Sequence, residues 1–142
     1  MLMLAGVGIV YVPAKIAPQG WEWAVVIGLL SLCLASSANY TINEAIDAKF
    51  DRYHPLKCLR SAVQNDLCLR LIILQYLAFA VTSLALAYYV QANLACIIAL
   101  YLTGALLYNI APVRLKDVAY VDVLAEASNY PLRLMVGWAC IL

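Results

Sequence analysis

Five apolar stretches separated by short polar connections constrain this sequence more than any other feature. They cover approximately residues 2–13, 21–42, 67–90, 94–110 and 118–142. Of the 142 residues, 66% are hydrophobic and 12% are charged, whereas a soluble domain is roughly half apolar and about a quarter charged. Because so few polar side chains cannot cover a soluble surface, most of the chain must lie in a bilayer. We therefore predict an all-α, multi-pass transmembrane helical bundle of about five helices, forming a single domain over residues 1–142.

The composition also narrows the functions open to this chain. A net charge of +1 produces no strong field, so we predict no nucleic-acid partner, and any electrostatic function depends on where single charges lie. The five cysteines lie mostly within or beside apolar stretches, where cysteine packs as a small hydrophobic residue. A helix that crosses the membrane needs about 20 apolar residues, and the first stretch is shorter than that. We therefore expect a partial first helix or a chain that lacks its usual beginning.

The basic residues indicate how the chain lies across the membrane. Six of the nine lysines and arginines fall in two polar connections, after the second and fourth apolar stretches: Lys49, Arg52, Lys57, Arg60, Arg114 and Lys116. Two spans separate these connections, so both lie on one side of the bilayer. Cytoplasmic loops carry an excess of lysine and arginine, so we predict a multi-pass integral membrane protein whose two basic loops face the cytoplasm. The acidic clusters of the chain lie in or beside the same two loops.

An acidic ladder continues from the second apolar stretch. Asn43, Asp47 and Asp51 are spaced by four residues, with Glu44 beside them. Residues four apart are neighbours on a helix, and like charges there repel unless a cation neutralises them. Hard oxygen ligands suit Mg²⁺, so we predict all four as metal ligands, and Asp47 and Asp51 as catalytic. The alternative is a solvated helix end, which is unfavourable because the helix dipole opposes acidic groups there.

A basic segment follows the ladder directly. It contains Arg52, His54, Lys57 and Arg60. Pro55 disfavours helical backbone at His54 and should end the helix there, which keeps the segment close to the carboxylates. Arginine offers phosphate a planar fork and lysine a point charge, so we predict that these four residues bind the phosphates of a substrate. The alternatives are an ordinary cytoplasmic basic loop and, for His54, a structural cap or a general base.

A second polar stripe lies inside the last apolar stretch. Asp122, Glu126, Asn129 and Arg133 recur at offsets of four, seven and eleven residues, which places them on one helical face. Ionisable groups inside a membrane helix normally face a polar cavity or one another. From this stripe and the segment before it we predict further substrate-binding residues: Tyr108, Lys116, Asp122 and Arg133. A purely structural network of ion pairs is the alternative.

Together, the two constellations resemble a known family. The ladder resembles the first aspartate-rich motif of the UbiA-type intramembrane prenyltransferase superfamily, and the match is closer to its decaprenyl-phosphate phosphoribosyltransferase branch. The matching positions are residues 37–43, Asp47, residues 51–57, Arg60, Tyr108, residues 115–116, Asp122, residues 127–128, residues 132–133 and Gly137. The resemblance implies a fold of about nine helices around a cavity open to the cytoplasm, in a bacterial cytoplasmic membrane. This chain would supply roughly the N-terminal half, so we expect it to be truncated.

The resemblance also implies an activity. Members of that branch use Mg²⁺ to transfer a phosphoribosyl group from phosphoribosyl pyrophosphate to a polyprenyl phosphate, a lipid-linked acceptor, for cell-wall biosynthesis. The sequence departs from the branch at three positions, with Glu44 in place of aspartate, Ser61 in place of proline and Glu126 in place of a small or apolar residue. The Glu126 departure resembles the second aspartate-rich motif of true prenyltransferases. A transferase that moves an isoprenoid from its diphosphate to an aromatic or other small acceptor therefore stays open, and a small cation transporter subunit is the alternative outside the enzymes.

Overall fold

A computed structural model describes residues 1–14, 19–64 and 68–141 of the chain. Within these ranges the regular structure consists of six α-helices: α1 (Leu2–Ala14), α2 (Trp21–Asp51), α3 (Ser61–Gln64), α4 (Leu69–Val90), α5 (Ala92–Asn109) and α6 (Val121–Ala139). Short 3-10 helices at Lys57–Leu59 and Leu115–Asp117 lie in the two basic loops. The predicted all-α fold is confirmed. Residues 67 and 142, predicted ends of apolar stretches, lie outside the described residues.

The five longer helices correspond to the five apolar stretches, but they differ in how well they suit a bilayer. By length and composition, α2, α4 and α5 can each cross a membrane. Helix α1 is apolar but short, as the sequence predicts. Helix α6 is 19 residues long, and it carries the charged side chains of the second polar stripe. Because charges in lipid are costly, these side chains must turn away from the bilayer.

Helices α2 and α4 form the most extensive helix pair, and small side chains join them. The hydroxyl of Ser31 donates a hydrogen bond to the carbonyl oxygen of Ser83 (2.9 Å), and the Ser83 hydroxyl donates to the carbonyl oxygen of Ser31 (2.7 Å). Ala35 and Ala87 are fully buried along the same interface. Small residues allow two membrane helices to approach closely, and hydroxyls then bond across the contact. Neither helix therefore needs large apolar side chains to hold its partner.

Helix α1 packs against α6 through two glycines. A methyl group at Gly137 would overlap the carbonyl oxygen of Met3, and one at Gly6 would overlap the carbonyl oxygen of Leu134. The backbones of the two helices are therefore in direct contact, which only glycine permits at these positions. This contact holds α1 tightly against α6.

Helix α5 lies at the centre of the fold, because it contacts α2, α4 and α6. Gln91 alone separates α4 from α5, with an extended backbone (φ −171°, ψ 157°), so the two helices form the tight antiparallel pair that the sequence predicts. Leu94, Ile98 and Tyr101 of α5 are buried. Toward the end of the fold that carries the basic loops, α2, α5 and α6 separate and leave a polar cavity between them.

Candidate active site

A cavity of about 500 Å³ lies between α2, α5, α6 and the connection from α5 to α6. The polar residues of its walls come from both constellations and from α5: Ser36, Asn39, Tyr40, Asn43, Asp47, Tyr101, Tyr108, Asn109, Lys116, Glu126, Ser128, Asn129 and Arg133. The fold thus brings together two polar segments that are nearly 70 residues apart in the sequence. A polar cavity of this size can hold a small phosphorylated molecule.

The closest link between the two constellations joins Lys116 to Asp47. The Nζ atom of Lys116 lies 2.5 Å from Oδ1 of Asp47 and donates a second hydrogen bond, of 3.1 Å, to Oδ1 of Asn109. The side chain of Lys116 is 10% exposed and that of Asp47 is 25% exposed. A charge-assisted hydrogen bond of this kind is stronger than one between neutral groups. One ammonium group therefore holds the ladder of α2 against α5 at the cavity wall.

Asp51, the last rung of the ladder, lies in a different environment. Its carboxylate is buried, with Oδ2 at 2.8 Å from Nη1 of Arg60 and Oδ1 at 3.8 Å from Nζ of Lys57. Among the described residues it does not belong to the cavity walls, whereas Asn43 and Asp47 do. The ladder therefore divides between the cavity and the basic loop after α2, which Asp51 anchors.

The other predicted residues of this region lie outside the cavity walls described here. Nδ1 of His54 accepts hydrogen bonds from the backbone N–H groups of Leu56 (3.2 Å) and Lys57 (3.3 Å). It thereby caps a turn beyond the end of α2, which ends at Asp51 and so three residues before the end at His54 that Pro55 predicts. Arg52 is exposed on this loop and Glu44 is half-buried on α2. Their assignment to metal or phosphate stays a prediction.

Tyr108 and Asp122 connect α5 to the start of α6. The hydroxyl of Tyr108 donates a 2.6 Å hydrogen bond to Oδ1 of Asp122. Glu126, one turn farther along α6, lines the cavity beside Tyr108. This corner is also where the backbone is strained, because Tyr120 (φ 67°) adopts a positive φ that residues other than glycine rarely take. Strain of this kind is often retained at functional sites.

The connection between α5 and α6 is itself fixed to α2. Nε of Arg114 lies 3.0 Å from Oδ2 of Asp117, and its guanidinium group lies 4.8 Å from the centre of the Phe50 ring. Arg114 also has a positive φ of 30°. A guanidinium over an aromatic face is attracted to it. The loop that supplies Lys116 is therefore held against the last turn of α2.

The inner end of the cavity contains a relay, a chain of three hydrogen-bonded side chains, of which the sequence predicted only Arg133. Nη2 of Arg133 donates to the hydroxyl of Tyr101 (3.3 Å), which is hydrogen-bonded to the Ser36 hydroxyl (3.1 Å). The signal for Ser36 was present in the sequence, because it precedes Asp47 by eleven residues, the same helical offset that separates Asp122 from Arg133. Nothing in the pattern of α5 indicated Tyr101 or Asn109.

The donor atoms of the cavity fit Mg²⁺ in one specific way. Within residues 1–14, 19–64 and 68–141, no group of three or more histidine, cysteine, aspartate or glutamate side chains could hold a metal ion on its own. The walls do offer the oxygens of Asn43 and Asp47, one helical turn apart. Mg²⁺ commonly takes only one or two protein carboxylates and completes its shell with water and substrate phosphates. These residues therefore suit a metal ion that binds together with a phosphorylated substrate.

Known proteins are similar to this chain in fold and in sequence. The structure of a UbiA homolog from Archaeoglobus fulgidus bound to DMAPP and Mg²⁺ superposes with a TM-score of 0.80, at 24% sequence identity, over 97% of this chain and 49% of that one. Decaprenyl-phosphate phosphoribosyltransferase of Mycolicibacterium smegmatis is 30% identical over 142 residues, or 96% of this chain. The enzyme of that name from Mycobacterium tuberculosis is 34% identical over 104 residues, or 73% of this chain.

The chain spans less than half the length of these curated relatives, 40% of the first and 33% of the second. The sequence model of the UbiA prenyltransferase family matches residues 1–141, nearly the whole sequence. Three helices of the described residues are suited to crossing a bilayer, as the helical membrane fold of the family requires. The chain is an integral membrane protein that belongs to the UbiA prenyltransferase family.

Proposed function

We propose that this chain forms the donor-binding part of a Mg²⁺-dependent membrane transferase that moves a phosphoribosyl group from phosphoribosyl pyrophosphate to a polyprenyl phosphate. The observation that carries the proposal is the meeting of Asp47 and Lys116 in one polar cavity. An acidic oxygen suited to a metal and a cation suited to phosphate lie within hydrogen-bond distance there. A diphosphate bound with Mg²⁺ needs both kinds of group side by side.

Different residues of the cavity would have different roles in the release of pyrophosphate. Asn43 and Asp47 would hold Mg²⁺, and the bound ion supplies positive charge that neutralises the leaving group. Lys116 exchanges its contact with Asp47 for the phosphate oxygens of the donor, so its charge follows the charge that develops on them. Attack by a phosphate oxygen of the acceptor on the anomeric carbon forms the new C–O bond. The old bond from that carbon to pyrophosphate breaks, and pyrophosphate leaves with the electron pair.

The basic loop after α2 has a place in the same scheme. Lys57 and Arg60, together with the exposed Arg52, would attract the anionic donor toward the cavity. Asp51 holds Lys57 and Arg60 in position through its two ion pairs. An electrostatic funnel of this kind raises the rate of association more than the affinity. Because both basic loops carry an excess of lysine and arginine, they would face the cytoplasm, in a bacterial cytoplasmic membrane.

The identity of the donor rests on the relatives and on the cavity walls. Relatives named decaprenyl-phosphate phosphoribosyltransferase are 30% and 34% identical to this chain, and the walls include Asn39, Asn129 and Arg133, which suit a sugar better than a hydrocarbon tail. The second candidate is a prenyltransferase with an aromatic or other small acceptor. Glu126 in the cavity wall favours it, because it follows Asp122 by one helical turn, the spacing expected for a second metal-binding pair.

Radiolabelled donors test this proposal. Membranes containing the protein are incubated with Mg²⁺, polyprenyl phosphate, a small aromatic acceptor and either labelled phosphoribosyl pyrophosphate or labelled prenyl diphosphate, and the products are separated from the donors. Label is expected in the lipid only from the first donor, and Asp47→Asn should reduce incorporation by about 100-fold or more, as for loss of one electrostatic group of an active site. Glu22→Gln, at the opposite end of the same helix, is the matched control with unchanged incorporation.

Two results would contradict the proposal. Incorporation from the prenyl donor alone would favour the second candidate and reject phosphoribosyl transfer. Mg²⁺-dependent incorporation that survives Asp47→Asn would reject the assignment of the site. Divalent-cation flux into reconstituted vesicles, without transferase activity from either donor, would establish the transporter alternative instead.

A further inference from the structure

A positively charged group lies at the inner end of the cavity without an acidic partner. No carboxylate within residues 1–14, 19–64 or 68–141 forms an ion pair with Arg133. Its only described hydrogen bond goes to the neutral hydroxyl of Tyr101, at 3.3 Å. Its Nε atom is buried and has no hydrogen-bond partner among these residues. Arg133 is half-buried, and a charge that is partly removed from water is costly unless an opposite charge or several hydrogen bonds compensate for it, so this arginine is suited to binding an anion.

The guanidinium group is oriented by a hydrogen bond to a buried neighbour. Tyr101 is buried and connects Arg133 to the hydroxyl of Ser36 on α2. The relay thus links α6, α5 and α2 at one level of the cavity. A long, flexible side chain that is fixed by a buried neighbour loses less entropy when it binds a ligand. Tyr101 is therefore a positioning residue for Arg133.

A second unsatisfied group lies in the wall of the same cavity. Oδ1 of Asn39 is buried and accepts no hydrogen bond from the described residues. Asn39 lines the same cavity as Arg133. The unpaired N–H group of Arg133 needs an acceptor, such as a phosphate oxygen, and the unpaired oxygen of Asn39 needs a donor, such as a hydroxyl. Together they match a ligand that carries a phosphate group next to a hydroxyl. A hydrocarbon chain would satisfy neither atom.

The inner and outer ends of the cavity are separated along α2 and α6 by equal lengths of helix. Ser36 precedes Asp47 by eleven residues on α2, and Arg133 follows Asp122 by eleven residues on α6. At 1.5 Å per residue this places the two levels about 16 Å apart along the helices, before the side chains reach inward. An elongated molecule with an anionic group at each end, met by long side chains such as those of Arg133 and Lys116, would contact both levels.

We infer that the inner end, formed by Arg133, Tyr101 and Asn39, is a second anion subsite, which binds the phosphate at the far end of a doubly phosphorylated sugar donor. The inference rests on the proposed function, because the outer level would hold the diphosphate of the same donor. It adds a structural reason for donor choice. A prenyl diphosphate has an anion at one end only and would leave Arg133 beside hydrocarbon without an anionic partner, which is unfavourable.

Comparing two ligands tests the inference. The dissociation constants of phosphoribosyl pyrophosphate and of inorganic pyrophosphate are measured with Mg²⁺ on the purified protein in detergent. Inorganic pyrophosphate can occupy only the outer level, so it serves as an internal control. Arg133→Gln should weaken phosphoribosyl pyrophosphate by about 10- to 100-fold, the effect of losing a charged hydrogen bond. It should change the affinity for pyrophosphate by less than about twofold, and Arg133→Lys should recover part of the loss because it restores the charge.

Further variants keep the test sensitive if Arg133→Gln folds poorly. Tyr101→Phe should weaken phosphoribosyl pyrophosphate by about threefold, and Asn39→Ala should do so by a similar factor, with pyrophosphate unaffected. Arg70→Gln, an exposed arginine on α4, is the matched control and should change neither affinity. A dissociation constant is measured on the folded molecules only, so a smaller folded fraction does not imitate the expected selectivity.

The other outcomes separate this inference from the proposed function. Equal weakening of both ligands by Arg133→Gln would place Arg133 at the diphosphate and overturn the second subsite. Unchanged affinity for both, or weakening of polyprenyl phosphate alone, would overturn it as well, while the diphosphate site of the proposed function would stand. If pyrophosphate fails to bind the unmodified protein with Mg²⁺, the proposed function itself is rejected.

Discussion

Asp47 and Asp51 are one helical turn apart on the same helix, yet the structure gives them opposite surroundings. Asp47 lies in the cavity wall with Lys116, a residue from a distant segment. Asp51 is turned away from the cavity and holds Arg60 and Lys57, which follow it within nine residues. The first carboxylate joins separate parts of the fold and the second stabilises its own loop. Equal spacing in a sequence therefore does not imply equal roles.

The strongest test of this difference removes one cation from each region. Lys116→Gln should weaken Mg²⁺-dependent donor binding by about 100-fold, because it removes a nearly buried ammonium from the cavity. Arg60→Gln should weaken binding by less than about tenfold, since its side chain is 45% exposed and screened by water. Both affinities can be measured by equilibrium binding of a labelled donor. A larger loss from Arg60→Gln would reverse the roles assigned to the two regions.

The next test examines the loop without any ligand. Asp51→Asn should increase the rate of trypsin cleavage after Lys57 and Arg60 by about tenfold, because the loop loses both ion pairs to a buried carboxylate. Asp47→Asn should leave this rate unchanged. The assay is limited proteolysis in detergent without Mg²⁺. Equal protection of the loop in both variants would show that Asp51 does not anchor it, whatever its part in metal binding.

Tyr108→Phe probes the corner between α5 and α6. It removes the 2.6 Å hydrogen bond to Asp122 and keeps the ring. We expect about a fivefold decrease in turnover, the equivalent of about 1 kcal/mol. Turnover is measured at saturating donor. The rate of trypsin cleavage in the loop after α2 is measured as well and should not change. Tyr88→Phe, which changes an exposed tyrosine at the far end of α4, is the control. A change in loop cleavage would mean that the two regions are coupled.

The smallest expected effect concerns the scaffold that both regions share. Ser31→Ala removes one hydroxyl from the contact between α2 and α4 and should destabilise the protein by about 0.6 kcal/mol, the average for hydrogen bonds between membrane helices. Thermal unfolding in detergent measures this change. Donor affinity and loop cleavage should both remain as in the unmodified protein. A shift in either would place the α2–α4 interface within the functional part of the molecule.

The sequence predicted the helices and the second polar stripe well, and the reason is geometric. One residue advances a helix by about 100°, so offsets of four, seven and eleven residues stay within about 40° of one direction. Glu126, Asn129 and Arg133 do line one cavity. The ladder repeats only the offset of four, which advances by about 40° at each step. From Asn43 to Asp51 the direction changes by about 80°, enough to turn the last carboxylate away from the cavity.

Other features of the site could not be read from the sequence because they depend on contacts between distant segments. Tyr101 and Asn109 lie in an apolar stretch with no charge to mark them, and their importance comes from what α2 and α6 place beside them. His54 was predicted as a phosphate ligand or a cap, and its bonds to two backbone N–H groups match the cap. Its contact with phosphate stays a prediction.

The glycine contact between α1 and α6 has a consequence for how the protein assembles. Met3 touches Gly137, so the two helices that meet there are far apart in the sequence and α1 is synthesised well before α6. At about 5–20 residues per second, α1 waits roughly ten seconds before its partner exists. During that time the short helix must stay at the membrane without the neighbour that fixes it. The inner end of the cavity, which α6 completes, therefore cannot form before α6 has been synthesised.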